Sequence, residues 1–137
     1  MAKIRHISYR AEDLEAMAKF FVEAFDMSVV QRRPRGAIDL TDGTLNITLL
    51  PANGPGSTGI MGIEHIGFSA ADDEAAKRKI IAAGGVERNT VNLGSHVHFE
   101  VKYEGPEGIV VDLGHWAGTE AVEGSVGAPV VAAVSSA

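Results

Sequence analysis

The sequence predicts an α+β protein built from two βαβββ modules. Three observations lead there. Residues 4–16 (IRHISYRAEDLEA) and 63–75 (IEHIGFSAADDEA) are identical at seven of thirteen positions, at an offset of 59. A repeat at that spacing marks two copies of one supersecondary unit. Each copy opens on an apolar/polar alternation of strand type, then shifts to helical spacing, and three short strand-like stretches follow.

Module one covers about residues 1–52. Ile7 and Tyr9 share one strand face, and His6 and Ser8 the other. Leu14, Met17, Ala18, Phe21, Val22 and Phe25 then recur at helical spacing and form one apolar stripe. Glu12 and Asp13 fall in the first turn, where the helix dipole favours anions. Strands are predicted at about 27–32, 37–41 and 44–50, divided by Pro34–Gly36 and Asp42-Gly43. The Pro- and Gly-rich stretch 51–59 has linker composition.

Module two covers about 60–116. Ile66 and Phe68 oppose His65 and Gly67. Ser69 is a candidate cap for the second helix, with Asp72, Asp73 and Glu74 in its first turn and Gly84 as its stop. The apolar stripe of that helix (Ala76, Ile80, Ala83) is thin. Strands follow at about 86–91, 95–103 and 108–114, the last two separated by Gly105-Pro106-Glu107-Gly108. The tail 117–137 is Ala, Val, Gly and Ser without a clear period, and reads as a loosely docked segment or an arm on a neighbouring subunit.

At 137 residues the chain is one domain, and 45% apolar content is enough for one modest core. A net charge of −6 argues against nucleic acid as a partner. No apolar run approaches the roughly 18 residues of a membrane span, and no segment has the apolar centre of a signal peptide. Cysteine is absent, which excludes disulfides, thiolate metal sites and a cysteine nucleophile. No Walker loop, dinucleotide fingerprint or nucleophile elbow occurs. The expectation is a cytoplasmic protein that binds a small molecule.

Strand parity separates two faces. Ile7, Tyr9, Leu45, Ile47, Leu49, Ile66, Phe68, Ile109, Val111 and Leu113 belong on the helix-covered face. His6, Ser8, Asn46, Thr48, His65, Gly67 and Asp112 fall on the other. On the 95–103 strand, Val97, Phe99, Val101 and Tyr103 take the apolar parity, and His96, His98, Glu100 and Lys102 the polar one.

Paired βαβββ modules, a His in each opening strand and a late P-x-G before a carboxylate-bearing strand resemble the vicinal oxygen chelate superfamily. It includes glyoxalase I, methylmalonyl-CoA epimerase, extradiol dioxygenases and bleomycin-resistance proteins. The resemblance covers residues 1 to about 116 and implies a concave mixed-sheet cleft with helices on the outer face. It also implies a divalent metal (Fe2+, Ni2+, Co2+, Mn2+ or Zn2+) held by His6, His65 and Asp112, where Glu is the usual third residue. Two imidazoles and a carboxylate leave open positions on such an ion. The fourth position matches Asn46, whose neutral amide is a poor ligand and a very poor base.

Glu100, His98 and Asp112 are the candidate acid–base groups. Asn46, Thr48, Tyr103 and Trp116 are candidate substrate contacts. Dioxygenases of this superfamily use a Tyr and a His on the 95–103 strand, and Tyr103 lies near that Tyr position with the wrong parity. Arg32, Arg33 and Arg35 read either as a solvated basic turn or as a fork for a substrate carboxylate or phosphate. The resemblance implies a metal-dependent lyase or isomerase of the glyoxalase/epimerase type or an extradiol-type dioxygenase. The alternative is a metal-free binding protein of the bleomycin-resistance type. Open sheet edges and the apolar segment Ala128–Val134 predict a homodimer with that segment as an arm.

Overall fold

The structure is a computed structural model that describes residues 2–54, 57, 59–91 and 97–116, without side chains at 89–91, 97–99, 115 and 116. The order is β1 (Lys3–Ala11), α1 (Leu14–Phe25), β2 (Ser28–Arg32), β3 (Ile38–Thr41) and β4 (Asn46–Pro51), then β5 (Gly62–Ser69), α2 (Asp73–Ala82), β6 (Val86–Val91), β7 (Val97–Glu104) and β8 (Val110–Trp116). A short 3-10 turn, Pro106–Gly108, joins β7 to β8. This is the expected α+β succession, with strand bounds within about two residues of those predicted. The expected start of β7 at 95 and the arm at 128–134 lie outside the described residues.

The two modules share one pairing scheme. In module one the strand order is β2-β3-β4-β1, with β1 parallel to β4 and the other pairs antiparallel. In module two it is β6-β7-β8-β5, with β5 parallel to β8 and the other pairs antiparallel. By compactness the chain divides into a unit containing His6–Glu64 and a unit joining the first residues to the stretch from His65.

The helix caps explain part of the repeat. Asp13 Oδ1 accepts the Ala16 N–H at 3.0 Å, and Asp72, its repeat equivalent, accepts the Ala75 N–H at 3.0 Å. Each is an N-cap side chain satisfying an otherwise orphaned helix donor. The expected Ser69 cap is therefore corrected: Ser69 ends β5, and Asp72 makes the bond. Gly84 ends α2 at φ +96°, where glycine carries no side-chain penalty.

The core sits in module one. Ala18 of α1 packs with Met27, Val29, Ile38, Leu40 and Leu49, and Leu14, Met17, Phe21 and Val22 close over them. Phe25 was expected on this stripe but is 62% exposed, because α1 ends there. Helix α2 buries no residue fully. Its alanine face leaves an open apolar groove of about 360 Å³ lined by Phe68, Ala75, Ala76, Ile80 and Leu113. No helix among the described residues is long and apolar enough to cross a membrane.

Candidate functional site

In module two, register places the key groups on one face. Gly67 pairs with Asp112 across β5 and β8, and Lys102 lies directly opposite Asp112 across β7 and β8. Alternation puts His65 and Glu100 on that same face. The side chains meet there. His65 Nε2 lies 3.0 Å from Asp112 Oδ2. Lys102 Nζ lies 3.5 Å from His65 Nε2, 3.5 Å from Asp112 Oδ2 and 3.8 Å from Glu100 Oε2. Arg5 Nη2, from the start of β1, lies 3.9 Å from Asp112 Oδ1 and 4.0 Å from Glu100 Oε1. Arg5, His65, Glu100 and Asp112 are all buried. Burying two carboxylates is costly unless cations accompany them, and the two cations do so here.

Module one carries a second polar row. His6 is opposite Asn46 across β1 and β4, and Asn46 is opposite Thr41 of β3. One pleat further, Ser8, Thr48 and Asp39 line up. Asp39 is fully buried. It accepts from Gln31 Nε2 (2.8 Å), Arg33 Nε (2.9 Å), Arg33 Nη2 (3.0 Å) and Thr48 Oγ1 (2.8 Å). The amide of Asn46 is buried, with no hydrogen-bond partner for its nitrogen or oxygen among the described residues. A buried amide left so is unusual and fits a group that a ligand satisfies. Arg10 donates to the Pro51 carbonyl at 2.6 Å and pairs with Glu64.

Several expected residues therefore meet: His65 with Asp112 directly, and Glu100 in the same corner through Lys102. Asn46 is beside His6, as parity required. Thr48 faces the same way, but its hydroxyl proton is already given to Asp39. Tyr103 does not join them. It is buried on the opposite face of β7, and its phenol is pushed up by burial and then by Glu87, with Lys77 of α2 opposing. The substrate contact expected of Tyr103 therefore falls on the face of β7 opposite Glu100 and Lys102. His98 and Trp116 lie on β7 and β8, but their side chains are outside those described. The arginine fork is also resolved: Arg33 binds Asp39, and Arg32 binds Glu15 at 3.0 Å. Arg5 and Asp39 were missed, because a charged residue at a strand end or in a four-residue strand gives no periodic signal.

The donor set fits a divalent ion. Two ligands at right angles, each about 2.1 Å from one ion, are separated by about 3.0 Å. His65 Nε2 and Asp112 Oδ2 have that spacing. A neutral imidazole and an ionised carboxylate suit borderline ions such as Zn2+, Fe2+ or Ni2+.

The family model described as Glyoxalase/Bleomycin resistance protein/Dioxygenase superfamily matches residues 3–113, and the chain belongs to that superfamily. No curated protein matches the sequence significantly. Among solved structures, a hypothetical protein from Bacillus halodurans C-125 superposes with a TM-score of 0.66 at 18% identity, over 82% of this chain and 93% of that one. The 2,3-dioxygenase LapB from Pseudomonas sp. KL28 gives 0.66 at 18% identity, over 83% of this chain but only 40% of its own length. Methylmalonyl-CoA epimerase from Streptomyces coelicolor, in complex with 2-nitronate-propionyl-CoA, gives 0.61 at 21% identity, over 84% of this chain and 97% of that one. At these identities the likeness is one of fold.

Proposed function

We propose that the protein is a divalent-metal-dependent isomerase or lyase acting on a small substrate with two adjacent oxygens. Its step is removal of a proton from the carbon beside a carbonyl. The carrying observation is the buried His65–Asp112 pair with the Glu100 carboxylate in the same corner. In this reading His6, the repeat equivalent of His65, is the second imidazole, as the family resemblance implies for the opening strand of each module. A divalent ion bound there supplies Lewis-acid stabilisation of negative charge on a chelating oxygen. Glu100 accepts the substrate proton, and burial keeps water from competing for it.

One observation favours proton transfer over ring cleavage. Tyr103 is buried and pairs with Val111, one residue out of step with Lys102 and Asp112, so it takes the opposite face of β7. We further propose a cytoplasmic homodimer, with exposed Ile4, Ile60, Met61 and Ile63 supplying apolar surface for the contact.

The test is solvent exchange. Protein loaded with Co2+ is incubated in D2O with 2-substituted acyl thioesters and hemithioacetals, and NMR follows deuterium entering the carbon beside the carbonyl. Wild type exchanges at least one substrate, and Glu100→Gln loses exchange while keeping its metal. Oxygen uptake with catechols and no exchange would overturn the reading in favour of a dioxygenase. Binding without turnover in metal-loaded protein would favour a binding protein.

A further inference from the structure

We propose that Lys102 is a tethered competitor for the cation site: its ammonium and a divalent ion draw on the same two donors, so the side chain sets how tightly metal binds. The inference rests on the metal reading of His65 and Asp112.

Lys102 Nζ is equidistant, 3.5 Å, from His65 Nε2 and Asp112 Oδ2, which are 3.0 Å from each other. The three atoms form a narrow triangle. An ion about 2.1 Å from both donors lies between about 1.7 Å from the ammonium, on its side of the pair, and about 4.6 Å, on the far side. The first is a collision and the second is close repulsion between like charges.

Charge balance points the same way. Among the described residues the corner holds two carboxylates, Glu100 and Asp112, and two cations, Arg5 and Lys102. The two cations offset the two carboxylates, so an added dication meets no surplus of negative charge from these four groups. Arg5 is fixed, its side chain only 2% exposed, whereas the side chain of Lys102 is 20% exposed on a flexible four-carbon stem. Lys102 is the cation able to withdraw. Its position is set by sheet register, directly opposite Asp112, and not by rotamer choice alone.

The experiment is calorimetric titration of the full chain with Co2+. Lys102→Met removes the charge and keeps most of the stem, and Lys102→Arg keeps the charge. The expected result is at least tenfold tighter binding in Lys102→Met and a change under threefold in Lys102→Arg. Adding Asp112→Asn should remove the gain. If Lys102→Met loses its circular-dichroism signal, Lys102→Gln makes the same comparison. Co2+ binding by wild type with no gain in the neutral variants overturns this inference alone. Absence of binding in wild type and neutral variants alike overturns it together with the metal reading. Binding that emerges only in the neutral variants supports it.

Discussion

Replacing Asp39 with Asn tests whether the polar face of module one is a structural element. The carboxylate is fully buried and accepts four hydrogen bonds, two from the Arg33 fork. Asn keeps the shape but offers one acceptor oxygen, and turns an N–H toward donors. Hydrogen bonds to charged groups contribute about 1.5–3 kcal/mol each, and breaking a buried ion pair on one side costs about 3–5 kcal/mol. The side chain of Arg33 is 15% exposed, so water recovers part of the loss. The expected destabilisation is about 3–4 kcal/mol, a large share of the roughly 5–15 kcal/mol typical of a domain. With a urea slope near 2 kcal/mol/M, the midpoint falls by about 1.5–2 M. The comparison variant is Arg32→Gln, which breaks the exposed pair with Glu15 and should cost under about 1 kcal/mol. Similar midpoint shifts for the two variants would refute the argument that burial and bond count set the difference.

Asn46→Ala should weaken Co2+ binding far less than Asp112→Ala, because a neutral amide offers a cation little; equal losses by calorimetry would contradict that ranking. For Tyr103 the sign follows from its raised phenol, held up by burial and then by Glu87. The folded state keeps the proton longer than the unfolded chain, so stability is full below the ordinary value near 10.0 and declines as pH rises from there through the folded value. Tyr103→Phe should flatten that alkaline decline in urea midpoints measured from pH 8 upward, and an unchanged profile would remove the phenol from the account. Sedimentation equilibrium at tens of micromolar should show a dimer, and a monomer would refute the proposed assembly.

The fold was largely legible because the repeat states it twice. Strand alternation, the α1 stripe and the turns at Asp42-Gly43 and Gly105–Gly108 each reappear in the pairing scheme. The caps were half legible: the sequence puts Asp13 and Asp72 at the helix starts, but as first-turn residues, and naming Ser69 as the cap overlooks that their repeat positions have to play one role. At the site, parity placed His65, Glu100 and Asp112 on one face, and register then set them within reach of one ammonium. Arg5 stayed hidden. Its parity put it with Ile7, and only the three-dimensional arrangement turns its guanidinium to Asp112 and Glu100. Asp39 was hidden for a related reason: the four-residue strand Ile38–Thr41 is buried on both faces, so its polar residue breaks no visible alternation.

We propose that His65 and Asp112 hold a divalent ion, with His6 as the second imidazole that the family resemblance implies. Equilibrium dialysis against Co2+, followed by metal analysis, tests it most directly. The account predicts about one Co2+ per wild-type chain, and loss of that ion in His6→Ala, His65→Ala and Asp112→Asn, each with unchanged circular dichroism. Full occupancy retained by any one of the three folded variants would contradict it.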